Sequence, residues 1–373
     1  MKIGLTIAGL PGAADYTNSY TLAAISAWIK RTMPDVEVIY SQELDTLLGC
    51  DEVWCTATSE AWDLVNKLGR EVTLAGKRFL VGGHHATALP ETLRYGVAHR
   101  GPLETCSHLD ELPLPDWSIF PDRKRPLVIT SRGCPYNCNF CSSSQFWGGY
   151  KARSPRKVLE ELQMHVAAGA KEIVIFDDLF VADKSRLRTI AESVARVGLD
   201  RIEYSCLVRA NLIDQHTVDL LRLMNVRHLG FGAESGSDRM LALMNKRATV
   251  ADNQRAIDIL AANGYKPTIS LIAGYPGETL EDLRLTRQFI QRNRCKCNII
   301  DVYPCMPFPG TRLWDWFVHA RHIDVHRFDW QSLNINRQTI DWDLYNLLTD
   351  QYAKQHLIEL VSWNESEKLK AAA

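Results

Sequence analysis

Cys134, Cys138 and Cys141 stand at Cys-x3-Cys-x2-Cys spacing. Three thiolates on so short a stretch can wrap one corner of a cubic iron–sulfur cluster, for which thiolates are the usual ligands. Three ligands hold three irons and leave the fourth open to an exchangeable group, much as a catalytic zinc keeps an open position. Gly133 and Pro135 suit a loop that bends tightly around such a cluster. Zinc is the competing reading, but a structural zinc normally takes four ligands in two pairs. No second pair follows at zinc spacing, and Cys295 and Cys297 are distant and closer together; these two read as buried thiols. The opening Met1–Ala8 reads as a strand rather than a signal peptide. The ten cysteines are therefore expected in a reducing cytoplasm, buried, metal-bound or catalytic rather than in disulfides.

The elements that must position this loop follow from periodicity. Strand patterns are expected at 127–131, 172–176, 202–206, 228–232, 266–271 and 298–302, with helical patterns at 155–168, 184–196, 215–224, 250–263 and 280–292. Six βα units in series predict a parallel sheet curled into a partial (β/α)6 barrel, whose chemistry belongs at the C-terminal strand ends. The unusual residues fall there: the cysteine loop, Asp177-Asp178, Cys206 and Arg209, Glu234-Ser235, Gly274 to Glu278, and Tyr303 to Thr311.

Upstream, strands at 2–8, 36–40, 52–56 and 78–81 alternate with helices at 19–31 and 60–68, which predicts a small doubly wound parallel-sheet domain, α/β in class. The expected organisation is this domain over 1–111, a linker over 112–126 with four prolines and a charge run, the barrel over 127–311, and a C-terminal extension over 312–373. That extension is rich in Trp and His and gives no readable fold. His319, His322 and His326 have helical spacing but no acidic or thiolate partner at fixed spacing, and read as a solvated or packed face. With 43 basic and 44 acidic side chains the chain lacks a basic nucleic-acid footprint. Only Arg123-Lys124-Arg125 and the stretch Lys151 to Lys157 offer a local phosphate-binding patch. No apolar run reaches the ~20 residues of a membrane span, and no membrane partner is expected.

The cysteine loop, with Phe140 just before its last cysteine, resembles the signature of the radical S-adenosyl-L-methionine (SAM) superfamily, over roughly 127–311. The resemblance implies a [4Fe-4S] cluster whose open iron chelates the amino and carboxylate groups of SAM. It also implies reductive cleavage of SAM to a 5′-deoxyadenosyl radical that abstracts hydrogen from substrate, with a reductant such as flavodoxin or ferredoxin. By the same resemblance Asp177 and Asp178 fall where the methionine amino group binds, and Arg209 where its carboxylate is paired. Glu234 and Ser235 match the ribose and methionine contact, and Gly274 lies in the stretch whose backbone approaches adenine. Singly, Glu234 also reads as a helix cap and Asp177-Asp178 as a helix start; their agreement on one barrel rim favours the functional reading.

Gly82-Gly83-His84-His85-Ala86-Thr87-Ala88-Leu89-Pro90-Glu91 resembles the GG-x-H-x-T-x-x-P-E segment of cobalamin-binding domains fused to radical SAM barrels. Such domains place a D-x-H-x-x-G loop after their first strand to supply a cobalt ligand. Here Gly9-Leu10-Pro11-Gly12-Ala13-Ala14-Asp15 contains no histidine. The domain is therefore read as degenerate and cobalamin is not favoured, although some members hold it without a protein ligand; His84 and His85 read as loop histidines. The expected activity is a radical isomerisation or rearrangement without cobalamin, in its most specific form on an amino acid attached to a thymine base of phage DNA. In that form the host is a phage-infected bacterium. The alternative is a cobalamin-dependent methyltransferase of a natural-product pathway. A cluster-bearing sensor is the reading outside catalysis, and it would not need the SAM-contact residues. The substrate, a small molecule or a modified nucleobase, is not written in the sequence.

Overall fold

Ile3, Gly4, Leu5, Thr6 and Ile7 are all buried, the continuous run expected of a strand covered on both faces. That strand, β1 (Lys2–Ala8), lies inside a parallel sheet with β2 (Glu37–Tyr40), β3 (Glu52–Ala57), β4 (Arg78–Gly82) and β5 (Val97–Ala98), in the order β2-β1-β3-β4-β5. Its helices are α1 (Tyr20–Thr32), α2 (Leu44–Leu48), α3 (Trp62–Leu74) and α4 (His84–Ala88). The short α2, α4 and β5 carry too few residues to show a period, and His84 and His85, read from the sequence as loop histidines, open α4. This computed structural model describes residues 1–9, 20–103, 106–120, 126–334, 342–348 and 351–372. The loop Leu10 to Asp15 and the charge run Arg123-Lys124-Arg125 lie outside them.

The second sheet is six-stranded, parallel, and in the order β13-β12-β11-β10-β9-β6. It comprises β6 (Leu127–Val128), β9 (Glu172–Ile175), β10 (Glu203–Leu207), β11 (Val226–Glu234), β12 (Thr268–Ala273) and β13 (Ile299–Pro304). A separate antiparallel pair, β7 (Ser131–Arg132) with β8 (Lys151–Ala152), brackets the cysteine loop. The pattern at 127–131 thus forms two strands rather than one. The break is made by Asp177, whose carboxylate accepts from the Thr130 amide, the Thr130 hydroxyl and the Ser131 hydroxyl, each at 2.6 Å.

The helices are α5 (Ser143–Trp147), α6 (Pro155–Ala167), α7 (Lys184–Arg196), α8 (Gln215–Leu223), α9 (Asp238–Leu243), α10 (Val250–Ala262) and α11 (Leu280–Asn293). Their starts are written locally. Ser154 caps α6 ahead of Pro155, Asp183 caps α7, and Thr249 with Asp252 and Thr279 with Asp282 form reciprocal capping boxes on α10 and α11. The single-turn helix α5 and the short α9 lacked a readable period.

The extension supplies α12 (Arg312–Arg321), α13 (Trp342–Leu348) and α14 (Gln351–Ala372). Helix α14 covers the open edge of β13. Asn364 donates to the Ile300 carbonyl at 3.0 Å and accepts from Arg294, and Lys368 pairs with Asp301 at 2.7 Å. Covering an edge this way removes a template for strand addition. Trp330 stacks on Trp314 and meets the His85 ring edge-on, so the extension also reaches the first sheet. His319, His322 and His326 are exposed. Cys295 is exposed and only Cys297 is buried, against the expectation of two buried thiols. Cys295 sits in a one-turn helix, Arg294–Lys296, while Cys297 opens the extended chain into β13.

Candidate functional site

The cysteine loop leaves β7 through Gly133, whose φ is +76° and whose hydrogens face the Gly149 carbonyl; a Cβ there would come 2.0 Å from that oxygen. Only glycine closes this turn. The loop is fastened at its middle. The Asn139 amide donates to the Met244 carbonyl, its side chain to the Leu243 carbonyl, and Asn245 donates to the Asn137 carbonyl. Leu313 at the start of α12 donates to the Asn139 carbonyl. Cys138 is buried, Cys134 and Cys141 are half-buried, and the three thiols are mutual electrostatic neighbours. Burial pushes Cys134 up and Cys141 up to about 11, so iron must displace their protons. Among the described residues no three Cys, His, Asp or Glu converge on a single-ion site; a cubic cluster holds its thiolates further apart than one ion does.

Arg209, just past β10, reaches this loop. Its Nη1 lies 3.8 Å from Cys138 Sγ, its guanidinium sits 3.6 Å over the Tyr136 ring, and Nε donates to Asn211. Its Nη2 is buried with no hydrogen-bond partner among the described residues. Asn211 in turn donates to the Tyr136 hydroxyl at 3.1 Å. Asp178 is exposed and accepts from the Gly133 amide at 2.9 Å. Its neighbour Asp177 is buried and committed to Thr130 and Ser131, with burial raising its carboxyl against those hydrogen bonds. Glu234 ends β11 at φ +63° and pairs with Lys246 at 2.5 Å, both buried, and Lys246 lies 5.9 Å from the Phe140 ring centre. The structure thus brings Arg209, Asp178, Glu234 and Phe140 to the cysteine loop.

It does not bring Ser235 there. That hydroxyl meets Thr286 on α11 and accepts from the Ser237 amide. Gly274 follows β12 at φ +87°, where a Cβ would approach Leu357 of α14 to 2.9 Å. The Gly274 amide donates to Glu278, whose carboxyl is pushed up to about 8, chiefly by burial. Sequence reasoning missed Tyr136, Asn211 and Lys246. Tyr136 lies inside the motif itself; Lys246, twelve residues past Glu234, carries no local signal. It also missed Phe176 and Leu207, exposed at the ends of neighbouring strands although Ile175 and Cys206 beside them are buried.

A cavity of about 550 Å³ lies between the first sheet and the segments that flank the cysteine loop. One wall is formed at the C-terminal ends of β1, β3 and β4 by Ile7, Thr56, Gly83 and His84; the facing wall includes Arg132 and Phe146. Strand order reverses between β1 and β3, and ligands of open α/β sheets bind at such switch points. The size is that of an ordinary cofactor site. Gly83 holds φ +106° under Thr56. His84 lines the cavity, accessible to water there yet enclosed by protein, which lowers its basicity. His85 is buried, stacks on Trp62 at 3.9 Å, and is pushed down to about 3 by burial.

A family model described as the Radical SAM superfamily matches residues 128–290. An uncharacterized methyltransferase of Pyrococcus horikoshii is 32% identical over 231 residues, which are 60% of this chain and 50% of that protein, so the chain spans half its relative's length. The radical SAM methyltransferase TsrM of Kitasatospora setae, solved with cobalamin and a [4Fe-4S] cluster, superposes with a TM-score of 0.69 at 15% identity, over 86% of this chain and 78% of that one. The cobalamin-dependent radical SAM enzyme OxsB gives 0.62 at 16% identity, over 95% of this chain and 56% of that one. These two likenesses are of fold. Isomerisation and action on DNA, expected from the sequence, draw no support from these relatives. Among the described residues no helix is long and apolar enough to cross a membrane. Residues 128–290 thus match the radical SAM superfamily around the cysteine loop, and the parallel sheet ahead of them gives the chain a fold shared with TsrM and OxsB.

Proposed function

We propose that this chain is a cobalamin-dependent radical SAM methyltransferase acting on a small molecule of a natural-product pathway. The observation that carries the reading is the cavity at the β1/β3 switch point, which opens against the segment just after Cys141. A degenerate domain kept only for packing has no need of such a space. The donor set suits the cofactors: three convergent thiols for iron, and apolar walls with a glycine turn for a flat macrocycle. When bound, the cluster supplies the electron that splits SAM, and the corrinoid supplies a cobalt centre able to carry a methyl group.

Cys134, Cys138 and Cys141 hold three irons in this reading. The unpartnered nitrogen of Arg209 receives the SAM carboxylate, a charge-assisted bond that satisfies a buried donor. Asp178 accepts from the SAM ammonium. Glu234, fixed by Lys246, and Phe140 stand on the ribose side, and the Gly274 backbone meets adenine. Asp177 and Ser235 act on the fold around the site rather than on SAM. Phe176 and Leu207 give the substrate an apolar platform. With no histidine in the Gly9–Asp15 loop, the corrinoid is held through its ring and tail.

The test is anaerobic reconstitution with iron and sulfide, with and without hydroxocobalamin. Retention of a corrinoid absorbance spectrum is expected. In cells fed SAM precursor labelled in its methyl group, mass spectrometry should find a labelled metabolite that needs both the gene and cobalamin. A product formed without corrinoid and without label would return the isomerisation reading.

A further inference from the structure

In the GG-x-H-x-T pattern the fixed histidine falls on His85 and the free position on His84. The two rings turn opposite ways. His85 goes inward, against Trp62 and Trp330, with Nε2 on the Thr92 hydroxyl at 3.1 Å. His84 crosses to the barrel. Its Nδ1 lies 2.9 Å from Ser142 Oγ, and its ring stacks on Phe146 with centroids 3.9 Å apart and planes 16° apart. Ser142 is covalently next to Cys141, and Phe146 lies in the short helix that follows. The same ring lines the cavity. One imidazole therefore touches both that space and the segment that ends the iron-binding loop.

We infer that His84 is a positioning residue that couples filling of the cavity to SAM binding at the iron-binding loop, the occupant being a flat corrin ring. This rests on the cobalamin reading above. The physical ground is local. A ring held by a hydrogen bond and a stack has few orientations left. An apolar ligand seated beside it removes water from its open surface, and a hydrogen bond strengthens as the local dielectric falls. The His84–Ser142 contact then holds the end of the cysteine loop in one geometry, and SAM binds to a loop already ordered. Coupling of this kind is reciprocal between the two ligands.

The experiment measures SAM dissociation constants on the full-length, oxidised, cluster-loaded protein, with and without saturating hydroxocobalamin, so no turnover enters. Wild type should bind SAM about fivefold or more tightly when the corrinoid is present. His84→Ala should keep its iron and still bind each ligand alone. Its coupling factor should fall to about one, the value for independent sites. Ser142→Ala, which keeps the ring stack, should lose coupling in the same way. His84→Asn, whose amide can reach Ser142, should restore part of it. Wild-type coupling in both His84→Ala and Ser142→Ala overturns the inference, as does a wild type that binds both ligands independently. If His84→Ala loses its iron, Ser142→Ala decides. A wild type that binds no corrinoid overturns the cobalamin reading and this inference with it, so the two failures read differently.

Discussion

Arg209 holds a buried guanidinium nitrogen with no hydrogen-bond partner among the described residues, and such a group is costly until something pairs with it. Arg209→Ala should therefore leave iron content unchanged and weaken SAM binding. Loss of a charge-assisted bond of ~1.5–3 kcal/mol corresponds to roughly ten- to a hundredfold, read by titration of the cluster-loaded protein. The cysteines separate more sharply. Alanine at Cys134, Cys138 or Cys141 should abolish the cluster's absorbance, whereas Cys295→Ala, at an exposed position, should keep it. Equal iron loss in Cys295→Ala would overturn the ligand assignment. Glu278 gives a pH dependence. Burial raises its carboxyl from 4.5 to about 8, so between those values the folded chain keeps a proton that the unfolded chain has released. Stability then falls as pH rises, by about 1.4 kcal/mol per unit at most from this group. Glu278→Gln keeps an acceptor for the Gly274 amide and removes the slope. Urea unfolding from pH 5 to 8 should show the variant gaining on wild type as pH increases.

The cysteine loop is an element held by what brackets it. Its exit from β7 needs a positive φ and leaves no room for a side chain. Gly133→Ala should therefore separate β7 from β8 and cut iron incorporation sharply, while far-UV circular dichroism of the barrel is kept. Helix α14 is held to β13 through Asn364, which is fully buried. Asn364→Leu leaves the Ile300 carbonyl without its donor, at a cost of ~1–3 kcal/mol in unfolding experiments. The helix starts were legible because their caps are local: Ser154, Asp183, Thr249 and Thr279 each satisfy amides within three residues. The division of 127–131 was not legible, because it depends on Asp177 from 46 or 47 residues away.

At the scale of the whole molecule, one core runs from β3 and β4 of the first sheet through the barrel into the extension, and a second lies between β1, α1 and Trp117 with Phe120. Trp330 is a junction within the former, in contact with His85, Trp314 and Phe328. Trp330→Ala should destabilise by ~3–5 kcal/mol, the range for removing a buried large aromatic side chain. Because the first sheet forms one wall of the cavity, the same variant should weaken corrinoid retention more than iron retention, measured on one reconstituted sample by absorbance.

Legible from the chain alone were the Cys-x3-Cys-x2-Cys spacing, the two runs of βα units and the order of residues along the barrel rim. Each of these is a matter of spacing and period within about ten residues, or of strands that follow one another in a parallel sheet. What only the tertiary structure decided is which rim residues face the cysteine loop. Asp177 and Asp178 are neighbours in the chain, yet the alternation of a strand end buries one under Thr130 and leaves the other beside Gly133. Lys246 meets Glu234, and His84 meets Ser142, across separations that no period encodes. The cavity itself belongs to neither sheet's sequence. It exists because the C-terminal ends of β1, β3 and β4 face Arg132 and the segment after the cysteine loop, side chains far apart along the chain.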